Sequence, residues 1–211
     1  MINRTRRLAI VIVALAASAC AVTTAGDPTT AAVVGDRSIT TAEIDENLAS
    51  IRTSESFRQQ AEGDTSGAFV LDAQTQLATA FVRSEILALV AEREGVTVSD
   101  DDVAQARDAL VEQLGGAEAF RTRLAEQGLS ETFLLQQLRD QQTQEALQAQ
   151  IGEGAQLADF IRTQLEDVDI EVNPRYGQWD PASLSVASFD PLAPDGGVTP
   201  TDGASPAAGT P

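Results

Sequence analysis

The sequence predicts a mostly α fold, about six helices closed by a small antiparallel sheet. Three observations carry that expectation. No proline occurs between Pro28 and Pro174, so nothing in that interval forces a helix to break. Apolar residues recur through it at three- and four-residue spacing, the signature of amphipathic helices. Strand patterns occur at its two ends, in "AAVVGDRSIT" (31–40) and "DVDIEV" (167–172).

The first element is a hairpin. β-branched residues flank Gly35-Asp36, a two-residue turn signal. Thr40 and Glu43 then form the T-x-x-E capping box of a helix carrying Ile44, Leu48 and Ile51. This helix is read as fading into the polar stretch "SFRQQAEGDTSG" (56–67). From Ala68 to about Glu94 a long helix follows. Leu77, Phe81, Ile86, Leu89 and Val90 place apolar groups on more than one of its faces, so it should be the central, most buried one. Gly95 ends it.

Ser99 opens the next helix as N-cap, with three aspartates in the first turn, where the helix dipole favours negative charge. Val103, Ala106, Leu110 and Leu114 form its stripe, and Gly115-Gly116 breaks it. A short helix with Phe120 and Leu124 runs to Gly128, which has the conformational freedom a helix stop requires. Ser130 caps a long Gln-rich helix, with Leu129 and Leu134 placed as a hydrophobic staple. A last helix carries Leu157, Phe160, Ile161 and Leu165. Val168, Ile170 and Val172 then alternate on one face of a strand. A lone hairpin is marginal in water, so this strand is expected to pair with the 33–39 hairpin.

Residues 31–180 therefore form the predicted folded domain. Before it, Arg4, Arg6 and Arg7 precede an apolar run from Leu8 to Ala17 and then small residues, the layout of a signal peptide over residues 1–19. Cys20, the single cysteine, closes "LAASAC". It sits where a lipoprotein signal places the thiol that receives diacylglycerol and becomes the mature N-terminus, with palmitate-type chains as the anchor. The A-x-A sequence Ala17-Ser18-Ala19 also fits ordinary signal cleavage at the same bond. Residues 20–30 read as the lipidated Cys with a flexible tether, and residues 181–211 as a disordered Pro/Gly-rich tail. The expected location is the outer face of the cytoplasmic membrane of a bacterium.

Charge and composition narrow function by exclusion. The chain carries a net charge of −18. Loss of the three signal arginines leaves 11 arginines against 32 acids, a net of −21. Such a surface repels phosphate backbones, so no nucleic-acid partner is expected. It also repels anionic lipid, so membrane attachment needs an anchor rather than a basic patch. With no histidine and one cysteine, Ser-His-Asp and Cys-His catalysis are excluded, as are His- or Cys-built zinc sites. No cofactor, metal or small-molecule substrate is expected, and no catalytic residue. "SDDD" (99–102) reads as helix capping rather than cation binding. The acid pairs Asp45/Glu46 and Asp167/Asp169 read as solvated faces. The glutamines from Gln136 to Gln150 read as a polar helix face, with hydrogen bonding to a bound backbone as the alternative. The only Tyr and the only Trp sit together in "VNPRYGQWDP" (172–181). There Tyr176 and Trp179 read as a lock that pins the exit of the chain over the hairpin and helices, with an exposed aromatic platform as the alternative.

Taken in order, "VVGDRSITTAEID", "GVTVSDDDV", "GLSETFLLQQLRDQ" and "VNPRYGQWDP" behind an export signal resemble the SurA N-terminal domain family of extracytoplasmic chaperones, in its actinobacterial lipoprotein form. The family also includes PrsA-type foldases. The resemblance implies a SurA N-terminal/trigger-factor-like chaperone module. In it an N-terminal hairpin, helices and a C-terminal segment build apolar grooves that hold unfolded secreted polypeptides. It names no peptide-binding residue here; Phe57, Phe69 and Phe133 fit groove and core equally. Many relatives insert a parvulin prolyl isomerase domain before the final strand. In this chain residues 151–167 supply only one helix and the parvulin histidines are absent, so isomerase activity is not expected. The functional expectation is a membrane-anchored chaperone-like protein for non-native secreted polypeptides. The alternatives are a prolyl isomerase-family protein with residual or no activity, or an envelope interaction module with one specific partner.

Overall fold

The structure is a computed structural model, which describes residues 27–152 and 154–188. The signal segment, Cys20 and residues 189–211 of the expected tail lie outside the described residues. A hairpin opens the fold: β1 (Thr30–Val34) and β2 (Arg37–Thr40) pair antiparallel, with Val34 opposite Arg37 across the Gly35-Asp36 turn. The third strand, β3 (Ile170–Val172), adds to the free edge of β1, setting Ala32 opposite Val172 and Val34 opposite Ile170. The resulting order is β2-β1-β3. The joint extends beyond the ladder, because the Gly35 amide donates to the Asp169 carbonyl and the Asn173 amide to the Ala31 carbonyl. The two ends of the folded region thus close on each other, as the alternation of Val168, Ile170 and Val172 implied.

Between them run seven helices among the described residues: α1 (Thr41–Ile51), α2 (Glu55–Gly63), α3 (Ala68–Glu94), α4 (Asp100–Gln113), α5 (Ala117–Gln127), α6 (Glu131–Ile151) and α7 (Leu157–Gln164). The central one is α3. Phe81, Val82, Ile86, Leu87 and Val90 are buried on it, and it packs against α1, α6, β1 and a C-terminal strand over residues 185–187. The capping box expected from sequence, Thr40 with Glu43, forms, and Ser99, expected as an N-cap, completes a second box with Asp102. Gly128 stops α5 at φ +66, and a Cβ there would lie 2.6 Å from the Ile51 Cα. Only glycine lets the α5–α6 junction press this closely on the end of α1.

Two sequence expectations are corrected. The polar stretch after α1 is not an unwinding end but a separate helix, α2. Ser54 caps it, and Phe57 is its one fully buried side chain. Too few apolar positions repeat in nine residues for a periodic pattern to show. The second correction concerns the boundary at 180. The chain continues into a hairpin of β4 (Gln178–Asp180) and β5 (Ser185–Ala187), pairing Trp179 with Val186. Residues 181–188, assigned to the tail, therefore belong to the fold. Arg83 on α3 donates to the Leu184 and Ser183 carbonyls, and Arg162 on α7 to the Ala182 carbonyl. Thr79 accepts from the Val186 amide at 3.0 Å. These bonds supply the partners that a short exposed hairpin lacks on its own.

The aromatic lock takes the form the sequence suggested. Tyr176 is 1% exposed, and its carbonyl accepts a 2.8 Å bond from the Thr75 hydroxyl of α3. Arg175 lies 5.1 Å from the tyrosine ring and pairs with Asp45 of α1 at 2.9 Å. Trp179 packs half-buried on the core.

Candidate functional site

Three helix starts each fix a phenylalanine, two through an N-cap serine and α3, which opens on Gly67, through an aspartate five residues ahead. The Ser54 hydroxyl accepts from the Phe57 amide at 3.3 Å, and the Ser130 hydroxyl from the Phe133 amide at 3.1 Å. The Asp64 carboxylate accepts from the Phe69 amide at 2.7 Å. Each cap satisfies a donor that the first turn leaves open and fixes the ring attached to it. Asp64 is held below the usual carboxylate range, first by its bond from Ser66 and then by the Phe69 amide. Ser130 also donates to Asn47 of α1 at 3.3 Å, tying the start of α6 to the first helix.

The three rings meet around one hollow of about 370 Å³. Ile51, Phe57, Phe69, Ala73, Leu77, Ala80 and Phe133 form its apolar wall, and Asp72, Gln76 and Gln137 its polar rim. Phe57 and Phe69 are 4.9 Å apart in a tilted pair. Phe133 rests against Phe81 of the core at 5.8 Å. Phe57 and Phe133 are buried, whereas Phe69 is only partly covered. The hollow is thus rigid at its floor and open at its lip. On the other side of Phe57 the surface continues into a second recess, lined by Arg52, Arg58, Ala61, Glu62 and Val70. An apolar cleft with a few polar groups at its edge is the common form of a binding site. Its chemistry suits the reversible burial of apolar side chains.

Two other hollows have different characters. One, also about 370 Å³, lies between α3, α6 and α7 under Leu184, and the arginines beside it are already spent on the 182–184 carbonyls. The other, about 490 Å³, sets the charged groups of Arg37, Glu85, Glu92, Arg139 and Asp140 around Ala88, Val96 and Val98. In it Ser84 donates to Asp140 at 2.8 Å and accepts from Gln136 at 2.9 Å. Burial pushes the Asp140 carboxyl up to about 6; the Ser84 bond opposes the shift, nearby Glu85 adds to it, and Arg139 counters it.

The residues weighed from sequence fall as follows. Asp102 caps α4 and Asp100 pairs with Arg139 at 2.6 Å. Asp45 pairs with Arg175, and Asp167 with Arg93. Most of the glutamines are engaged within the molecule: Gln142 donates to the Asp102 carbonyl, Gln148 to the Gly152 carbonyl and Gln150 to Glu94. Gln137 faces the phenylalanine hollow. Phe57, Phe69 and Phe133, which the sequence left between core and groove, come together at its wall. Two of them shared a signal, an N-cap serine three residues ahead, Ser54 before Phe57 and Ser130 before Phe133. The recess beside Arg52 and Arg58 was missed, because it depends on α2.

Fold and site together define a helical module, closed by a terminal sheet, that offers an apolar cleft at one side of its longest helix. A family model described as a SurA-like N-terminal domain matches residues 4–148, and the chain belongs to that family. The family is chaperone-like or prolyl-isomerase-associated. The match stops within α6, so α7 and β3 to β5 complete the module beyond it. No curated protein and no solved structure matches the chain.

Proposed function

We propose that the chain is an exported, membrane-tethered chaperone-like module that binds non-native secreted polypeptides without chemical turnover. The observation that carries this reading is the hollow walled by Phe57, Phe69 and Phe133. Each client Leu, Val or Phe moved from water into such a cleft contributes about 1.5–3 kcal/mol. Ordering an extended client segment offsets much of that gain. Two or three anchors then give weak, reversible binding that tolerates varied sequence. The acidic surface keeps the complex soluble by repulsion between copies. Attachment runs through acylated Cys20; no described helix is long and apolar enough to cross a membrane.

The test is suppression of aggregation of an unrelated denatured substrate at up to equimolar chain. Wild type is expected to suppress it. Phe69→Asp, at a partly exposed ring, should lose the effect while keeping the helical circular dichroism of the parent. Unaltered aggregation in the presence of wild type would remove the reading. Mass spectrometry of the membrane fraction tests the anchor, since Cys20→Ser should release the protein from membranes.

A further inference from the structure

The recess beside Phe57 is unusual in its charge. Of the arginines in the described residues, Arg37, Arg93, Arg107, Arg123, Arg139, Arg162 and Arg175 each have a carboxylate partner. Arg83 is bound to backbone carbonyls. Arg52, Arg58 and Arg121 have no ion-pair partner among the described residues, and the first two line this recess. In a chain with 32 acids and 14 basic residues, two unspent cations beside an apolar floor favour an occupant that is apolar and acidic. Of the nearby carboxylates, Glu62 lines the same recess and Asp72 is engaged by Gln76.

The chain itself supplies such an occupant. Strand β5 runs back along α3, from Arg83 at Leu184 to Thr79 at Val186. Ser188 is therefore directed toward the first turns of α3, where Asp72 and Gln76 form the rim of the hollow. The next residues are Phe189, Asp190, Pro191, Leu192, Ala193, Pro194 and Asp195, outside the described residues. They combine two large apolar side chains with two carboxylates and no cation. Four residues of extended chain, the length from Phe189 to Leu192, span roughly 13 Å, about one helix diameter. Prolines on both sides of Leu192 lower the entropy lost on docking.

We propose that residues 189–195 occupy the cleft beside Phe57, Arg52 and Arg58 in the resting protein, and that client polypeptides must displace them. The inference rests on the cleft being the polypeptide-binding site and adds its regulation. A tethered segment acts at an effective concentration of order millimolar. A tail that fills the cleft about 80–90% of the time lowers apparent client affinity roughly five- to tenfold.

The test uses the full chain with Leu192→p-benzoylphenylalanine, irradiated and mapped by mass spectrometry. Adducts within one molecule on residues 52–73 are expected. Arg52→Ala with Arg58→Ala should reduce them severalfold, and a denatured client should compete them away. Separately, the full chain with Phe189→Ser and Leu192→Ser should bind client roughly five- to tenfold more tightly. Adducts elsewhere in the molecule, adducts only between two copies, or unchanged client affinity would overturn the proposal. Adducts on 52–73 that client does not displace would keep the docked tail and remove the client reading of the cleft. Client binding at the cleft with no tail adduct would remove the tail alone.

Discussion

Around α3, side chains from α1, α6, β1 and β5 bury Val82, Val90, Ile44, Leu147 and Val34 with 2% exposure or less. Out on the α4–α5 hairpin, Val103 and Phe120 are the buried apolar residues, and neither joins the main core. What holds the hairpin to α6 is largely polar. Arg139 pairs with Asp100 and donates to the Val98 carbonyl, Arg107 pairs with Glu131 at 2.9 Å, and Gln142 donates to the Asp102 carbonyl. Exposed ion pairs contribute about 0–1 kcal/mol each and weaken with salt, whereas one buried aliphatic contributes more than several of them. The difference separates a body whose shape is set by packing from an arm that can open locally. The candidate cleft is built on the body and takes no residue from the arm.

Substitutions can break that contrast. Leu147→Ala, at a fully buried α6 position, should have the largest effect. A loss of about 3 kcal/mol in urea unfolding is expected, with the whole transition shifted. Phe120→Ala removes the ring under Arg107. It should lower global stability by only about 1 kcal/mol yet abolish amide protection through α4 and α5. A whole-molecule loss equal to that of Leu147→Ala would erase the distinction between body and arm.

Asp140 sharpens it from the polar side of the body. Its carboxyl titrates at about 6 when folded, against 3.8 for a free aspartate, so the native state holds the extra proton. Its neutral form favours folding below about pH 4, and that advantage is lost as pH rises through 6. Asp140→Asn, which can still accept from Ser84, should therefore be more stable than wild type above pH 6, on the order of 1 kcal/mol after solvent screening. The two proteins should converge near pH 4 in thermal melts at matched pH. Asp64, Asp102, Asp167 and Asp180 are held low by their hydrogen-bond and arginine partners and act in the opposite direction. They are common to both proteins and cancel in the comparison. The smallest effect is expected for Tyr176→Phe. The phenol oxygen has no hydrogen-bond partner among the described residues, so its removal should change stability by less than about 1 kcal/mol. A larger loss would reveal a partner for that hydroxyl.

Most of the scaffold could be read from the chain because its signals are local. Thr40-Glu43, Ser99-Asp102, Gly95 and Gly128 mark helix ends through side-chain chemistry within a few residues. The pairing of β3 with β1 could be argued from an alternating strand that needed a partner. The two misses are elements whose stability is not local. Helix α2 has few inward side chains and depends on Phe57 meeting Phe69. The β4–β5 hairpin depends on Arg83, Thr79 and Arg162, about 20 to 107 residues away in sequence. The cleft shared the first of these difficulties. Its three rings come from separate helices, so periodicity could name Phe57, Phe69 and Phe133 as apolar but could not bring them together.

Hydrogen exchange of the full chain, with and without a denatured client, locates the client site on the molecule. Protection is expected to rise in α2, the first turns of α3 and the start of α6, around residues 54–80 and 130–137, with α4 and α5 unchanged. Protection confined to α4 and α5, or no change anywhere, would contradict a client site built on the three phenylalanines.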